Sequence, residues 1–329
     1  VAAQRLVWID RIRALGIIMV VTYHTEIALV SRGIDLIPGM WTWNAATSAM
    51  RMQIIIFVSG FLLERTLRKS WGVFLDNKLR TIAWPWFVWT SILAIFLVIG
   101  SWGFGGHTFG WQQVFDTYLS QYTYTWYLAY LFAFFVIARL LTPAIRAWSI
   151  PVLLVFAQWV GDYDGWHTRF PYMLALFFLG ELVARHPRWW DVLKKKWVLA
   201  LFVLVTAASL VAGPLGFKTW YTIWSVPGTV TFVAVLVLLS DRITRPIGWL
   251  ETIGREAIVF YASHLPFLKT ASYLAVILGL GRWPATILIL AAALGIPALL
   301  VKLRSRYRAV GWLYEWNPKS PPKSAPVVP

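Results

Sequence analysis

Residues 12–30 read IRALGIIMVVTYHTEIALV. The run is close to the roughly 20 residues that a helix needs to cross a bilayer core. It is preceded by Arg11 and carries Arg13 at its start, and no small-residue cleavage site follows it, so it reads as a span and not as a removable signal. Inside it stand His24 and Glu26. An ionisable group within a span costs roughly 2.5 kcal/mol or more, so each one needs a physical reason. Arg13 and His24 are eleven residues apart, about three turns or roughly 16 Å along a helix, and they share a face. A cation at the mouth and an imidazole deeper on the same face describe a polar path. Arg13 suits a phosphate and His24 suits a general base.

The rest of the chain repeats this texture. Of 329 residues, 59% are hydrophobic and 13% are charged, against roughly a quarter charged in soluble domains. The fold class expected is all-α, a polytopic transmembrane helical bundle. About ten spans are read, near 12–30, 46–64, 82–103, 123–142, 148–162, 171–186, 197–214, 223–240, 252–280 and 284–302. They make one membrane domain over 1–316. A Pro-, Lys- and Ser-rich tail over 317–329 is expected to be disordered and cytoplasmic. Pro227 and Pro266 are expected to kink the eighth and ninth spans.

The net charge is +16. With ten spans, most Lys and Arg fall on one side, including Arg5, Arg11, Arg13, Arg65, Arg68, Lys69, Lys78, Arg80, Arg139, Arg146, Lys194 and Lys195. The positive-inside rule then places both termini in the cytoplasm of a multi-pass protein of the inner (plasma) membrane. The basic loops are explained by topology and anionic membrane lipids, and no nucleic-acid module is read. Most of the 22 Trp fall near predicted span ends, where they anchor at the headgroup level. With no Cys, thiolate metal sites, disulfides and a cysteine nucleophile are excluded. The five His show no metal-ligand spacing, so no metal is expected.

Further candidates lie along the chain. Ser59 and Gly60 occur in a segment suited to close helix approach. The cations Arg65, Arg68, Lys78 and Arg80 follow, a cluster able to grip an anionic cofactor or lipid headgroups. Arg51 and Lys269 fall towards the far halves of their spans, where they would meet an acceptor's oxygens or anionic groups. Tyr261 lies one turn before His264, beside Pro266. Arg169, Asp162, Asp164 and His167 read as a polar loop on the far side.

Taken in order, these segments resemble the acyltransferase 3 family of integral membrane acyltransferases. Arg13 and His24 are similar to its first-span signature, and Phe57-Val58-Ser59-Gly60-Phe61 to its second-span segment. Lys78-x-Arg80 before Pro85 resembles its basic loop, with looser spacing. Trp126-Tyr127-Leu128, Phe177-Phe178-Leu179-Gly180 and Gly254-Arg255-Glu256-Ala257 with Tyr261 and His264 resemble later elements; Ala257 stands where the family has Ser.

The resemblance implies a ten-span bundle and transfer of an acyl group, acetyl or else succinyl or longer, from cytoplasmic acyl-CoA. The acceptor implied is a hydroxyl of an extracytoplasmic glycan or glycolipid of the cell envelope. It implies a catalytic role for His24 and a CoA-binding or structural one for Arg13. By the logic of a catalytic triad, a carboxylate should orient His24; Glu26, Glu181 and Glu256 all stay open for that role, as does the choice between direct transfer and an acyl-histidine. The competing expectation is a transporter or flippase of a lipid-linked or small anionic substrate. A homo-oligomer is left open.

Overall fold

The computed structural model describes residues 6–103, 115, 117–118, 123–162, 165–192, 195–243 and 245–318, with the backbone alone described at 97–103, 190 and 241. Asp164, Lys194 and the tail over 319–329 lie outside the described residues. Every regular element among the described residues is helical. In chain order they are α1 (Val7–Ser31), α2 (Met40–Ala46), α3 (Gln53–Phe61), α4 (Leu63–Leu67), α5 (Trp71–Lys78), a π-helical turn at Leu79–Ala83 and α6 (Trp84–Gly103). Then come α7 (Trp126–Leu140), α8 (Pro143–Val160), α9 (Trp166–Arg185), α10 (Trp189–Val192), α11 (Lys196–Ala212) and α12 (Ser225–Arg242). The chain closes with α13 (Gly248–Arg255), α14 (Ala257–Ile277), α15 (Arg282–Arg306) and α16 (Arg308–Gly311).

Each expected span overlaps helix over part of its length. Val7–Ser31, the run Trp71–Phe96, Pro143–Val160 and Arg282–Arg306 are long and apolar enough to cross a membrane by length and composition. Large apolar side chains such as Trp148, Val152, Trp159, Leu204 and Ile277 face outwards, the arrangement of a protein solvated by lipid.

The first helix is the axis of the fold. It packs against α2, α3 and α12–α15, and about half of it is buried. It ends where Gly33 adopts φ +67; the Ile34 and Gly33 amides donate back to the Leu29 and Val30 carbonyls, which closes the last turn. At its other end, Arg11 is buried and fixes α1 to the segment joining α12 and α13. Its guanidinium donates to the Ser240 carbonyl (2.8 Å), the Ser240 hydroxyl (3.0 Å), the Ile243 carbonyl (3.0 Å) and Glu251 Oε1 (2.8 Å). Arg11 was expected to mark topology alone, and it is in fact a clamp.

Two glycines set the second contact that shapes the body, the crossing of α3 and α9. A Cβ on Gly60 would lie 1.8 Å from the Phe177 carbonyl oxygen, and one on Gly180 would lie 2.0 Å from the Phe57 carbonyl oxygen. The two backbones therefore touch, each through the other's glycine.

Three expectations about helix continuity are corrected. The second span is broken at Thr47–Met52, and Arg51 sits in the break. The Gln53 side chain caps this break, accepting from the Met52 amide (3.1 Å) and donating to the Ser48 carbonyl (3.4 Å). Pro227 does not kink its helix, because it falls in the first turn of α12, where no intrahelical donor is required. Pro266 does lie inside α14, and the ninth span is divided at Glu256 between α13 and α14. Beyond α16, the Arg80 side chain donates to the Trp316 and Asn317 carbonyls, so the first residues after α16 are held against the body.

Candidate functional site

The residues expected to bind a donor separate into two groups. In the first, Arg13 lies between Tyr127 with Ser59 on one side and Lys78 on the other. Tyr127 shares a hydrogen bond with Ser59 and lies within the electrostatic reach of Arg13, which also acts on Lys78. Lys78 is buried, its Nζ 3.3 Å from the centroid of the Phe135 ring. Arg65 and Arg68, by contrast, are exposed on and just after α4, with Arg68 paired to Glu64 at 3.2 Å. Arg80 is taken up by the carbonyls of the C-terminal segment. The expected cradle of five cations thus reduces to Arg13 and Lys78 at its centre, with Arg65 and Arg68 at the surface.

Three turns along α1, His24 reaches the wall of a cavity of about 200 Å³. Around it stand Tyr23, Arg51, Gln53, Tyr124, Trp126, Arg169, Trp220, Tyr221 and Tyr261, brought by α1, the break after α2, α3, the turn before α7, α7 itself, α9, the segment before α12 and α14. The Arg51 guanidinium lies 3.9 Å from the Tyr23 ring centroid, and Arg51 Nη1 is buried with no hydrogen-bond partner. Arg169 lies 4.6 Å from the Trp126 ring centroid. Tyr221 is held at φ 56, an unusual conformation for an aromatic residue.

A second cavity, of about 320 Å³ and more open, adjoins the first. Glu26, Trp41, Asn44, Phe217 and Lys218 line it, and it shares Tyr23, Ser48, Arg51 and Trp220 with the inner one. Those shared side chains form the partition between the two spaces. Tyr23 meets Trp220 edge-on at 6.3 Å.

The carboxylates expected to orient His24 are all engaged elsewhere. Glu26 faces the outer cavity and accepts from Asn44 Nδ2 at 2.6 Å. Glu181 is buried in a two-pronged pair with Arg146, both contacts 2.6 Å, with Arg185 at 3.4 Å. Glu256 pairs with Arg304 at 3.1 Å. Glu181 and Glu256 are thus held by arginines and Glu26 by Asn44, so each of the three has a partner other than His24. The ring beside His24 is instead that of His264, with centroids 5.3 Å apart.

Of the residues expected to meet an acceptor, Arg51 and Tyr261 line the inner cavity, His264 is fully buried outside its lining, and Lys269 is exposed on α14 and lines neither cavity. Sequence reasoning assigned no site role to Tyr23, Tyr124, Trp126 or Tyr221. It left Arg169 in a loop, although α9 begins three residues earlier, at Trp166. Its closeness to an apolar aromatic run was the available signal.

The fold and this site define a helical membrane protein with a histidine at the wall of an arginine-flanked cavity and, towards the other end of the same helix, an arginine that joins Lys78 in a second cationic cluster. The chain belongs to the acyltransferase 3 family. The family described as "Acyltransferase domain" matches residues 6–302, from the start of α1 almost to the end of α15. The protein is therefore a membrane acyltransferase. No curated protein and no solved structure matches the chain.

Proposed function

We propose that this protein moves an acyl group, acetyl or else succinyl or longer, from cytoplasmic acyl-CoA to a hydroxyl of an extracytoplasmic envelope glycan or glycolipid. The observation that carries the reading is the placement of Arg13 and His24 on one helix, the first beside Lys78 and Tyr127, the second at a cavity that adjoins a more open one. CoA phosphates dock on the Arg13 and Lys78 end, with Arg65 and Arg68 at the rim, and the positive-inside rule puts that end in the cytoplasm of a ten-span bundle. The thioester reaches the inner cavity and the acceptor arrives through the outer one.

His24, as the neutral imidazole, takes the acceptor's hydroxyl proton while the oxygen bonds to the thioester carbon. The C–S bond then breaks, CoA leaves as thiolate, and the imidazolium returns the proton to sulfur. The charge that builds on the thioester oxygen faces Arg51, whose Nη1 is otherwise unpartnered. The Tyr124 and Tyr261 hydroxyls take no part in this, because they donate to the Ala262 and Tyr124 carbonyls.

The test is to incubate the protein in vesicles with labelled acetyl-, succinyl- and longer acyl-CoA and envelope extract. Label is expected in a glycan or glycolipid product and is expected to vanish in His24→Ala. Transfer that survives His24→Ala would sink the mechanism. A folded protein that labels nothing but moves an anionic solute would favour a transporter, for which the broken second span with its buried Arg51 is the structural precedent.

A further inference from the structure

His264 is fully buried on α14, and both of its ring nitrogens are defined by their surroundings. Nδ1 lies 2.7 Å from the Tyr261 carbonyl oxygen and 3.2 Å from that of Phe260. A carbonyl only accepts, so Nδ1 carries the hydrogen, and in the neutral ring Nε2 is left as a bare acceptor. That Nε2 is buried and has no partner. A buried acceptor left unmatched is costly, and such atoms ask for an explanation.

Three rings lie against His264, those of His24, Tyr124 and Tyr261. The two tyrosines direct their hydroxyl hydrogens to the Ala262 and Tyr124 carbonyls, and the neighbouring Ser263 hydroxyl donates to the Val259 carbonyl. The donor left among them is the ring N–H of His24. At a centroid separation of 5.3 Å and an interplanar angle of 37°, the two rings are close enough for an N–H of one to meet a nitrogen of the other at hydrogen-bond distance when those nitrogens point at one another.

We infer that His264 is a positioning residue, whose Nε2 accepts the His24 N–H and so presents the other His24 nitrogen, unprotonated, to the cavity. It does the work that a carboxylate does in a triad, but without bringing a charge into the membrane interior. This explains why the three candidate carboxylates can all be committed to other partners. It also explains why His264 is sealed behind His24 and does not line the cavity with it. For its kinetic test, the inference rests on the acyl-transfer reading; for its spectroscopic test it does not.

Two substitutions of similar size separate the possibilities. An Asn side chain puts its amide near the Nδ1 position and can keep the bond to the Tyr261 carbonyl. A Gln side chain puts its amide near the Nε2 position and can supply the acceptor towards His24. With the full chain in nanodiscs, His264→Gln is expected to keep acyl transfer within about tenfold of the wild type, and His264→Asn to lose about 100-fold or more in kcat with the KM for acyl-CoA unchanged. A purely structural histidine would give the opposite order.

Independently of activity, ¹⁵N NMR of ring-labelled histidine, assigned with His24→Ala, reads the tautomers. His264 is expected to be Nδ1-protonated. His24 is expected to hold one tautomer in the wild type and in His264→Gln, and a mixture in His264→Asn. A His24 tautomer unchanged in His264→Asn, or Asn and Gln variants of equal activity, would overturn the inference. A wild type with no acyl transfer would overturn the proposed function alone, and the tautomers would still decide this one.

Discussion

The Arg51 guanidinium lies 3.9 Å from the centroid of the Tyr23 ring and 5.8 Å from that of Trp220, at the partition between the inner and outer cavities. A planar cation against an aromatic face is held by the ring quadrupole, and a lysine ammonium does not reproduce its shape. Arg51→Lys should therefore reduce kcat by about tenfold and Arg51→Met by about 100-fold or more, if Arg51 faces the charge that develops on the thioester oxygen. Acyl-CoA binding, measured by titration, should be unchanged, because the Arg13 end of α1 is untouched. Equal loss of donor binding in Arg51→Met would mean that this cation grips the donor and not the transition state.

Gly60 and Gly180 make a prediction about stability. Each approaches the other helix's backbone so closely that a methyl group cannot be accommodated without moving α3 from α9. Overpacking of this kind typically costs about 1–3 kcal/mol, and more where the obstacle is backbone. Gly60→Ala and Gly180→Ala should each lower the thermal midpoint of the detergent-solubilised protein by several degrees. Gly72→Ala, in α5 with open space around it, should leave the midpoint unchanged. A Gly60→Ala variant as stable as Gly72→Ala would refute the tight crossing.

The same glycines show what the sequence could convey. Length and hydrophobicity of the apolar runs located the helices, because a bilayer imposes both. The face shared by Arg13 and His24 followed from helical geometry alone. What failed was pairing. The partners of Glu181, Glu256 and Arg80 lie 35, 48 and 236 residues away, at Arg146, Arg304 and Trp316, and no local pattern encodes such contacts. The break at Thr47–Met52 was equally hidden, because its residues are no more polar than those of an unbroken span apart from Arg51. Arg169 was misplaced because helix starts are read from caps, and Gly165 offers no capping side chain.

Arg11 and Glu251 predict a pH dependence. The Arg11 hydrogen bond holds the Glu251 carboxyl below the usual carboxylate range. A depressed value in the folded state means that the pair's contribution is fully present above the unfolded carboxyl's ordinary value of about 4.3, and is lost as pH falls through the lower folded value. Glu251→Gln should thus lower the thermal midpoint at pH 7, and the gap to wild type should close as the pH is taken below 4. A gap that stays constant over that range would mean that the stabilisation comes from packing of α13 and not from the charge.

The last prediction concerns Pro266 and Tyr124. Proline has no N–H, so Pro266 leaves the Ala262 carbonyl, one turn back in α14, without its helical donor. The Tyr124 hydroxyl, from the turn before α7, takes that place. Tyr124→Phe removes the donor and keeps the ring, which strands a buried carbonyl at a cost of about 1–3 kcal/mol. Pro266→Ala restores an N–H to the helix, and in that background the Tyr124 hydroxyl has lost its purpose. The two substitutions should be strongly non-additive, with Tyr124→Phe destabilising alone and close to neutral beside Pro266→Ala. Thermal unfolding of the four proteins in one detergent measures the coupling. Strict additivity would show that the tyrosine brace and the proline act independently, and that the carbonyl freed by Pro266 is satisfied by some other group.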